Sequence, residues 1–182
     1  VKEIARLMVG RKIELSSKED EDRQIKDENI LEIKDLRVKM PGEEVKGLNL
    51  TVRRGEILGI GGLAGQGKIG IANGIMGLYE SSGTVIKDGK EIPLNNPREA
   101  LKASIAFLSE DRRGVGLLLD DSIEFNIAFS SLEIQENFLK KFGPFKLIDK
   151  SKVREHALKM IEDLDIRCTG PKQHTRSLSG GN

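Results

Sequence analysis

A glycine-rich loop between an apolar run and a helical pattern is the feature that most restricts the fold of this chain. The sequence GGLAGQGKIG spans Gly61–Gly70 and overlaps the end of the apolar run EILGIGG. Gly62, Gly67 and Lys68 satisfy the spacing G-x4-G-K, and Gly65 adds a position that is free to adopt a positive φ. The pattern predicts a buried strand, a tight loop and then a helix.

Such a loop turns several backbone N–H groups toward a phosphate chain, and the following helix directs its positive end at the same charge. Lys68 is then expected to reach the β- and γ-phosphates. The alternative is a tight strand-to-helix turn that happens to be rich in glycine. The residues expected to surround the phosphates are Gly62, Leu63, Ala64, Gly65, Gln66, Gly67, Lys68, Ile69 and Gly70.

The loop departs from the complete motif at Ile69. The motif places Ser or Thr directly after the lysine, because that hydroxyl coordinates the Mg²⁺ that bridges the terminal phosphates. Isoleucine offers no oxygen ligand. We therefore expect weakened Mg²⁺ binding at this loop, and a site that binds nucleotide poorly or hydrolyses it slowly.

Patterns on both sides of the loop predict an α/β fold. Alternating segments at Ile30–Val38 and Leu48–Val52 indicate an antiparallel pair of strands. Asp88–Gly89 is typical of a hairpin turn. A helix is expected after the loop, with Ile71, Ile75 and Leu78 on one face. Further on, the patterns predict a helix at Pro97–Ala103, a buried strand at Ile105–Leu108, and helices at Ser122–Ser130 and Lys152–Leu164. The apolar face of the last helix is expected to hold Val153, Ala157, Met160, Ile161 and Leu164. This order predicts an α/β core with a helical subdomain that begins near the end of the chain.

Composition limits the remaining possibilities. Charged residues make up 32% of the chain but the net charge is only +1, so a general nucleic-acid face is not indicated. No apolar run approaches the length of a membrane span, and the first residues do not resemble a signal peptide, which predicts a cytosolic chain. Residues 15–29 are almost free of apolar side chains and are interpreted as a charged linker.

The last five residues, LSGGN at Leu178–Asn182, are the second informative motif. Ser179 supplies a hydroxyl, and Gly180 and Gly181 allow backbone N–H groups to approach an anion closely. In isolation, Ser-Gly-Gly also marks a plain flexible loop.

Together, the glycine loop, LSGGN and the intervening FLSEDRRGVGLLLDDSIEFNI resemble the nucleotide-binding domain of ABC transporters. More narrowly, they are similar to the second of two fused ATP-binding domains in importers of ribose, galactose, xylose and related sugars. MVGR at Met8–Arg11 resembles the tail of the first domain, so residues 1–14 are interpreted as that tail and residues 30–182 as the N-terminal part of the second domain. The resemblance implies an α/β fold that has a P-loop NTPase core with an antiparallel β subdomain and the start of an α-helical subdomain. This is an incomplete ABC ATPase domain, expected to be peripheral on the cytoplasmic face of the membrane.

The resemblance also implies ATP and Mg²⁺ as cofactors, and membrane permease subunits and a second nucleotide-binding domain as partners. The two domains would face each other head to tail, with Ser179–Gly181 completing the opposite site. Glu110, in the loop Glu110–Arg113, would stand where the γ-phosphate is sensed; the alternative is a solvated loop with weak ion pairs. The family usually has an aromatic residue after the first strand, where it stacks on adenine. Residues Met40–Val45 contain none, and Met40 is the candidate to pack there more weakly.

No catalytic or metal-binding residue can be assigned. In the family, LSGGN is the signature motif. The acidic metal-binding strand, the catalytic glutamate and the switch histidine lie beyond it, so hydrolysis by this chain alone is not expected. His156 and His174 are interpreted as surface residues, Cys168 as an ordinary thiol and Leu117–Asp120 as core.

The leading hypothesis is an energy-coupling ATPase domain of a sugar or related importer. A non-hydrolytic regulatory module that completes a partner's ATP site is the second, and an unrelated P-loop enzyme such as a kinase is the third. The transported solute is not encoded in these residues.

Overall fold

The computed structural model describes residues 25–179. Its strands are β1 (Asn29–Val38), β2 (Val45–Arg53), β3 (Ser81–Lys87), β4 (Lys90–Glu91), β5 (Leu139–Phe142) and β6 (Phe145–Ile148). The first four form one sheet in the order β2-β1-β3-β4, and β5 pairs with β6. The predicted antiparallel pair is confirmed, since Leu36 of β1 lies opposite Leu48 of β2.

The apolar alternation of β1 is interrupted by a bulge at Asp35, whose φ is 47°. Ile33 before the bulge and Leu36 after it are both buried in the same core, which an unbroken period of two would not allow. The Asp35 N–H donates to Asn49 Oδ1 at 3.0 Å. A Cβ at Gly83, on the other neighbouring strand, would lie 2.5 Å from the Asp35 carbonyl oxygen. The sheet therefore needs glycine opposite the bulge.

Helix α1 (Lys68–Ile75) covers one face of this sheet. Ile71 is buried and Ile75 packs against the same core, as predicted, but Leu78 lies beyond the end of the helix and is exposed. The core is apolar throughout, which makes burial the main stabilising contribution here. Its buried members are Ile33, Leu36, Val38, Val45, Ile71, Val85 and Ile92.

The remaining helices are α2 (Pro97–Lys102), α3 (Ile123–Ile134) and α4 (Lys150–Asp163). They confirm the three predicted helical segments, with Pro97 at the first turn of α2. Val153 and Ala157 are buried on α4, which packs against α3. Leu164 was expected on the same face, but it follows the end of α4 and is exposed, so that prediction is wrong.

The two hairpins have different origins in the sequence. At the predicted turn, Asp88 and Gly89 have φ values of 49° and 73°, the signs that a type I′ turn requires. The hairpin of β5 and β6 has no such signal, because Gly143–Pro144 at its turn indicates only a break in the chain. Asp149 joins it to α4: its carboxylate caps the helix by accepting from the Lys152 N–H at 3.3 Å and pairs with Lys140 at 3.0 Å.

Two apolar segments predicted as buried strands, 56–62 and Ile105–Leu108, form no strand. Ile57 is 72% exposed and Leu108 is 93% exposed. A strand buried on both faces needs hydrogen-bonded neighbours and covering layers, and neither segment has a strand partner within residues 25–179. Leu117 and Leu118 are likewise exposed rather than core, because their segment lies at the surface beside residues 174–176.

Several predictions lie outside the described residues. These are the domain tail at 1–14, most of the linker at 15–29, and the glycines Gly180 and Gly181. The last linker residues are described, and Glu28 pairs with Arg54 at 2.9 Å at the start of the sheet. From residue 25 to residue 179, no helix is both long and apolar enough to cross a bilayer.

Candidate functional site

The glycine loop lies directly before α1, and its backbone depends on two glycines with positive φ. Gly65 has φ 80°, and Gly67 has φ 85° at the position that begins the helix. Other residues pay about 1–2 kcal/mol for this left-handed conformation. As at the start of any α-helix, the first N–H groups of α1 have no partner within the helix, and such an end favours a negative charge.

The loop and the first turn of α1 pack closely against residues 42–45, which precede and begin β2. A Cβ at Gly67 would lie 2.7 Å from the Glu44 carbonyl oxygen, and one at Gly70 would lie 2.1 Å from the Glu43 carbonyl oxygen. Neither distance is compatible with a side chain. The glycines therefore permit this contact as well as the turn.

Glu43 places its carboxylate among the amides of the loop. The Gly65 N–H donates to Glu43 Oε1 at 2.7 Å, and the Glu43 residue is only 8% exposed. Its other oxygen, Oε2, is buried and has no hydrogen-bond partner within residues 25–179. Sequence analysis did not identify Glu43, because no local motif connects it with a loop that begins about twenty residues later.

The backbone amides of the loop favour the charged form of the Glu43 carboxylate. The Gly65 N–H is the main cause that holds the pKa of Glu43 below its ordinary value, although burial opposes it. The backbone amides of Ile69 and Gly67 and the charge of Lys68 lower the pKa further. An oxyanion is therefore stabilised at this point, and the phosphate part of a nucleotide fits the chemistry of the loop.

Lys68 lies across the loop at the start of α1. Its Nζ donates to the Leu63 carbonyl oxygen at 3.0 Å, and its side chain is half-buried. An ideal Cβ at Gly62 would lie 3.4 Å from Lys68 Cδ, so the lysine stem runs close to the loop backbone. The ammonium group is thus held beside the residues expected to surround the phosphates.

An open hollow of about 380 Å³ adjoins the loop. Val45 and Leu48 of β2 form part of its apolar wall, and Gly65, Gln66 and Gly67 form the wall on the loop side. Met40, the candidate replacement for an aromatic residue, is absent from this lining and packs against the core instead. The role of Met40 at the adenine stays a prediction.

The residues do not fit a standard Mg²⁺ site. Ile69 is half-buried and presents only an alkyl side chain at the position where a hydroxyl is needed. Between residues 25 and 179, no group of three or more His, Cys, Asp or Glu residues is arranged to hold a metal ion.

The loop Glu110–Arg113 is exposed and leads into a short π-helical turn, Arg112–Gly116. Asp111 caps this turn by accepting from the Gly114 N–H at 2.8 Å. In the part of the chain that the structure describes, no hydrogen bond or ion pair joins Glu110 to the glycine loop. The role expected for Glu110 at the γ-phosphate stays a prediction.

The segment before the LSGGN motif is anchored to residues 118–122. Thr175 is buried, and its hydroxyl donates to the Leu118 carbonyl oxygen at 2.8 Å. The Arg176 N–H donates to the Leu119 carbonyl oxygen at 3.0 Å, and Ser122 forms a β-bridge with His174. Ser179 follows at an exposed position.

The two histidines have structural contacts. The ring of His156 lies 5.2 Å from that of Phe138, and His174 Nδ1 lies 2.6 Å from the Asp120 carbonyl oxygen. Cys168 is a free, half-buried cysteine.

A protein-family model described as ABC transporter matches residues 45–182. The Nucleoside import ATP-binding protein NupA of Lactococcus lactis is 36% identical over 183 residues, covering 99% of this chain and 35% of that protein. The Ribose import ATP-binding protein RbsA of Bacillus subtilis is 35% identical over 181 residues, covering 99% of the chain and 34% of that protein. The Xylose import ATP-binding protein XylG of Thermoanaerobacter pseudethanolicus is 34% identical over 182 residues, covering 97% and 34%. The chain thus spans about 35% of the length of curated relatives that it matches.

Proposed function

Because the chain belongs to the ABC transporter family, we propose that it is part of the ATP-binding, energy-coupling subunit of an importer for a sugar or a similar small solute. The relatives named for nucleoside, ribose and xylose import support this class of solute. The hydrogen bond from Gly65 to the Glu43 carboxylate is the observation that carries the assignment of the binding site. It indicates that the loop has an amide positioned to receive an anionic oxygen.

In this proposal the loop from Gly62 to Gly70 binds the phosphates of ATP, and Lys68 supplies the positive charge. Ser179, Gly180 and Gly181 contact the nucleotide of a second domain in a head-to-tail pair. Glu110 senses the γ-phosphate, and movement passes from there to permease subunits in the membrane. The assembly works on the cytoplasmic face of the membrane.

Ile69 supports a narrower proposal for this half of the assembly. Without an oxygen ligand at position 69, the loop binds nucleotide with little help from Mg²⁺ and hydrolyses it slowly or not at all. A regulatory, non-hydrolytic role is therefore the second candidate function for this half. Hydrolysis then belongs to the assembled protein rather than to residues 1–182.

ATP titration of residues 1–182, with Mg²⁺ and with a chelator, tests both proposals. We expect binding that changes little with Mg²⁺, and a loss of about tenfold to a hundredfold in affinity for Lys68→Ala, since charged hydrogen bonds contribute about 1.5–3 kcal/mol. Lys102→Ala is the matched control, because Lys102 pairs with Glu99 on α2 and is remote from the loop in sequence.

Equal affinity in Lys68→Ala and the unmodified chain would show that the loop does not hold phosphates. Tight, Mg²⁺-dependent binding would contradict the proposed effect of Ile69. In the longer protein, unchanged ATPase activity after Lys68→Ala would favour the regulatory candidate for this half.

A further inference from the structure

We infer that the Glu43 carboxylate is an internal competitor for the phosphate site: it occupies amides of the glycine loop and must leave before a nucleotide phosphate can bind there. This inference rests on the proposed function and deepens it, because it identifies a residue that lowers nucleotide affinity. Glu43 lies outside the G-x4-G-K motif, in the segment that precedes β2.

The contact has the chemistry of anion binding. Glu43 Oε1 accepts the Gly65 N–H at 2.7 Å, within the range of a charge-assisted bond. Gly65 is one of the two loop glycines with positive φ, at 80°, and a loop of this shape directs its N–H groups inward. The carboxylate is therefore bound by the part of the backbone that binds a phosphate in the family motif.

The second carboxylate oxygen shows that this arrangement is incomplete. Glu43 Oε2 is buried without a hydrogen-bond partner in the part of the chain that the structure describes. A buried, unpaired acceptor is unfavourable, whereas the same oxygen in water would be fully hydrated. One short hydrogen bond thus holds the Glu43 carboxylate, and release of the side chain exchanges that bond for hydration of both oxygens.

A phosphate and the Glu43 carboxylate exclude each other for two reasons. Both need the Gly65 N–H, which can donate one good hydrogen bond. Both are also negatively charged, and at contact distance in a partly buried site their repulsion is much stronger than in water. Nucleotide binding therefore requires the side chain to move out, and the cost of that movement weakens the apparent affinity.

The test compares Glu43→Ala with the unmodified chain 1–182, using inorganic tripolyphosphate and ATP as probes. We expect the dissociation constants for both probes to fall by about tenfold, which corresponds to the loss of one charged competitor. The ligand-free variant should also melt at a lower temperature, because the loop loses an internal hydrogen bond. Tighter binding combined with lower stability is a result that a purely structural role does not produce.

Glu56→Ala is the matched control. Glu56 also accepts a backbone N–H with its carboxylate, from Arg53 at 2.7 Å, and its side chain is 20% exposed. Its loss should lower the melting temperature without changing the affinity for either probe. Glu43→Gln, which keeps the volume and removes the charge, serves if the alanine variant does not fold, and it should also bind more tightly than the unmodified chain.

The outcomes separate this inference from the proposed function. If the unmodified chain binds ATP and neither Glu43 variant binds more tightly, the competitor role is wrong and nucleotide binding stands. If Mg²⁺ raises the affinity of the unmodified chain but not that of Glu43→Ala, the carboxylate is a metal ligand and the inference is overturned. If no variant binds either probe, both the inference and the proposed function fail.

Discussion

The Thr175 hydroxyl donates to the Leu118 carbonyl oxygen at 2.8 Å, across 57 residues of sequence. The Thr175 N–H also donates to the Asp121 carbonyl oxygen at 3.1 Å. These bonds fix the short 3-10 turn, Thr175–Ser177, that leads to the LSGGN motif. Residues 118–121, which follow the loop Glu110–Arg113, therefore position the turn that leads to the LSGGN motif.

We expect Thr175→Val to lower the free energy of unfolding by about 1 kcal/mol, because the hydrogen bond from the Thr175 hydroxyl is lost while the Leu118 carbonyl oxygen keeps a second donor, Asn126 Nδ2 at 2.9 Å. Thr175 is 5% exposed, so water cannot readily replace the hydroxyl. Thr169→Val is the control: Thr169 is exposed, and its hydroxyl contacts Gln173 Oε1 at 3.0 Å. It should change stability by less than about 0.5 kcal/mol. Urea unfolding of both variants measures the difference, and equal losses would contradict the anchoring role.

Arg154 of α4 pairs with Glu124 of α3 at 2.9 Å, and the hydrogen bond from Arg154 is the main cause that lowers the pKa of Glu124. Since the folded-state pKa lies below the ordinary value of about 4.3, the pair stabilises the fold fully above that pH. The contribution is lost as the pH falls through the folded-state pKa.

Glu124→Gln should therefore be less stable than the unmodified chain at neutral pH, and the difference should vanish in acid. Denaturant unfolding at several pH values between neutral and about 3 gives this curve. Glu133→Gln is the control, because the Arg98–Glu133 pair at 3.0 Å is exposed on both sides. A difference for Glu124→Gln that stayed constant with pH would show that the shifted pKa does not control this stability.

Features that depend on neighbouring residues were predictable from the sequence. The strands β1 and β2, the turn at Asp88–Gly89 and the start of α2 at Pro97 all follow from local alternation or from a restricted φ. The glycine loop is also local, since Gly65 and Gly67 take the positive φ that its pattern requires.

Features that depend on distant partners were not predictable in the same way. The run that contains Ile57 has the composition of a buried strand, but a strand also needs neighbours, and it has none within residues 25–179. Glu43 was missed for a related reason. Its role arises from a contact with Gly65 that closes only when residues 42–45 pack against the loop. Two adjacent glutamates, Glu43 and Glu44, are ordinarily exposed, so the sequence does not predict that the Glu43 carboxylate is buried.

Gly67→Ala should destabilise the chain by more than about 2 kcal/mol, because a positive φ costs about 1–2 kcal/mol and the added Cβ would also clash. That Cβ would lie 2.7 Å from the Glu44 carbonyl oxygen. Gly89→Ala is the control: Gly89 has φ 73°, but nothing lies within 4 Å of its Cβ. Gly89→Ala should lower the free energy of unfolding by about 1 kcal/mol, the cost of the positive φ alone. Urea unfolding compares the two, and equal losses would show that the loop is not packed against residues 42–45.

Ile69→Thr places a hydroxyl directly after Lys68, where the complete motif has one. Ile69 is half-buried at the first turn of α1, and threonine is also β-branched, so the shape of the side chain is largely kept. The added oxygen can serve as a ligand for Mg²⁺ at the phosphates. We expect the affinity for ATP to become Mg²⁺-dependent, with a gain of about tenfold over the value measured in chelator.

Ile75→Thr, at the last residue of the same helix, controls for the loss of apolar volume. It should reduce stability, since Ile75 packs against the core, and should leave the ratio of affinities with and without Mg²⁺ unchanged. Calorimetric titration with ATP in Mg²⁺ and in chelator gives that ratio for each variant. A large ratio already present in the unmodified chain would mean that another residue supplies the metal ligand, and that Ile69 does not limit Mg²⁺ binding at this loop.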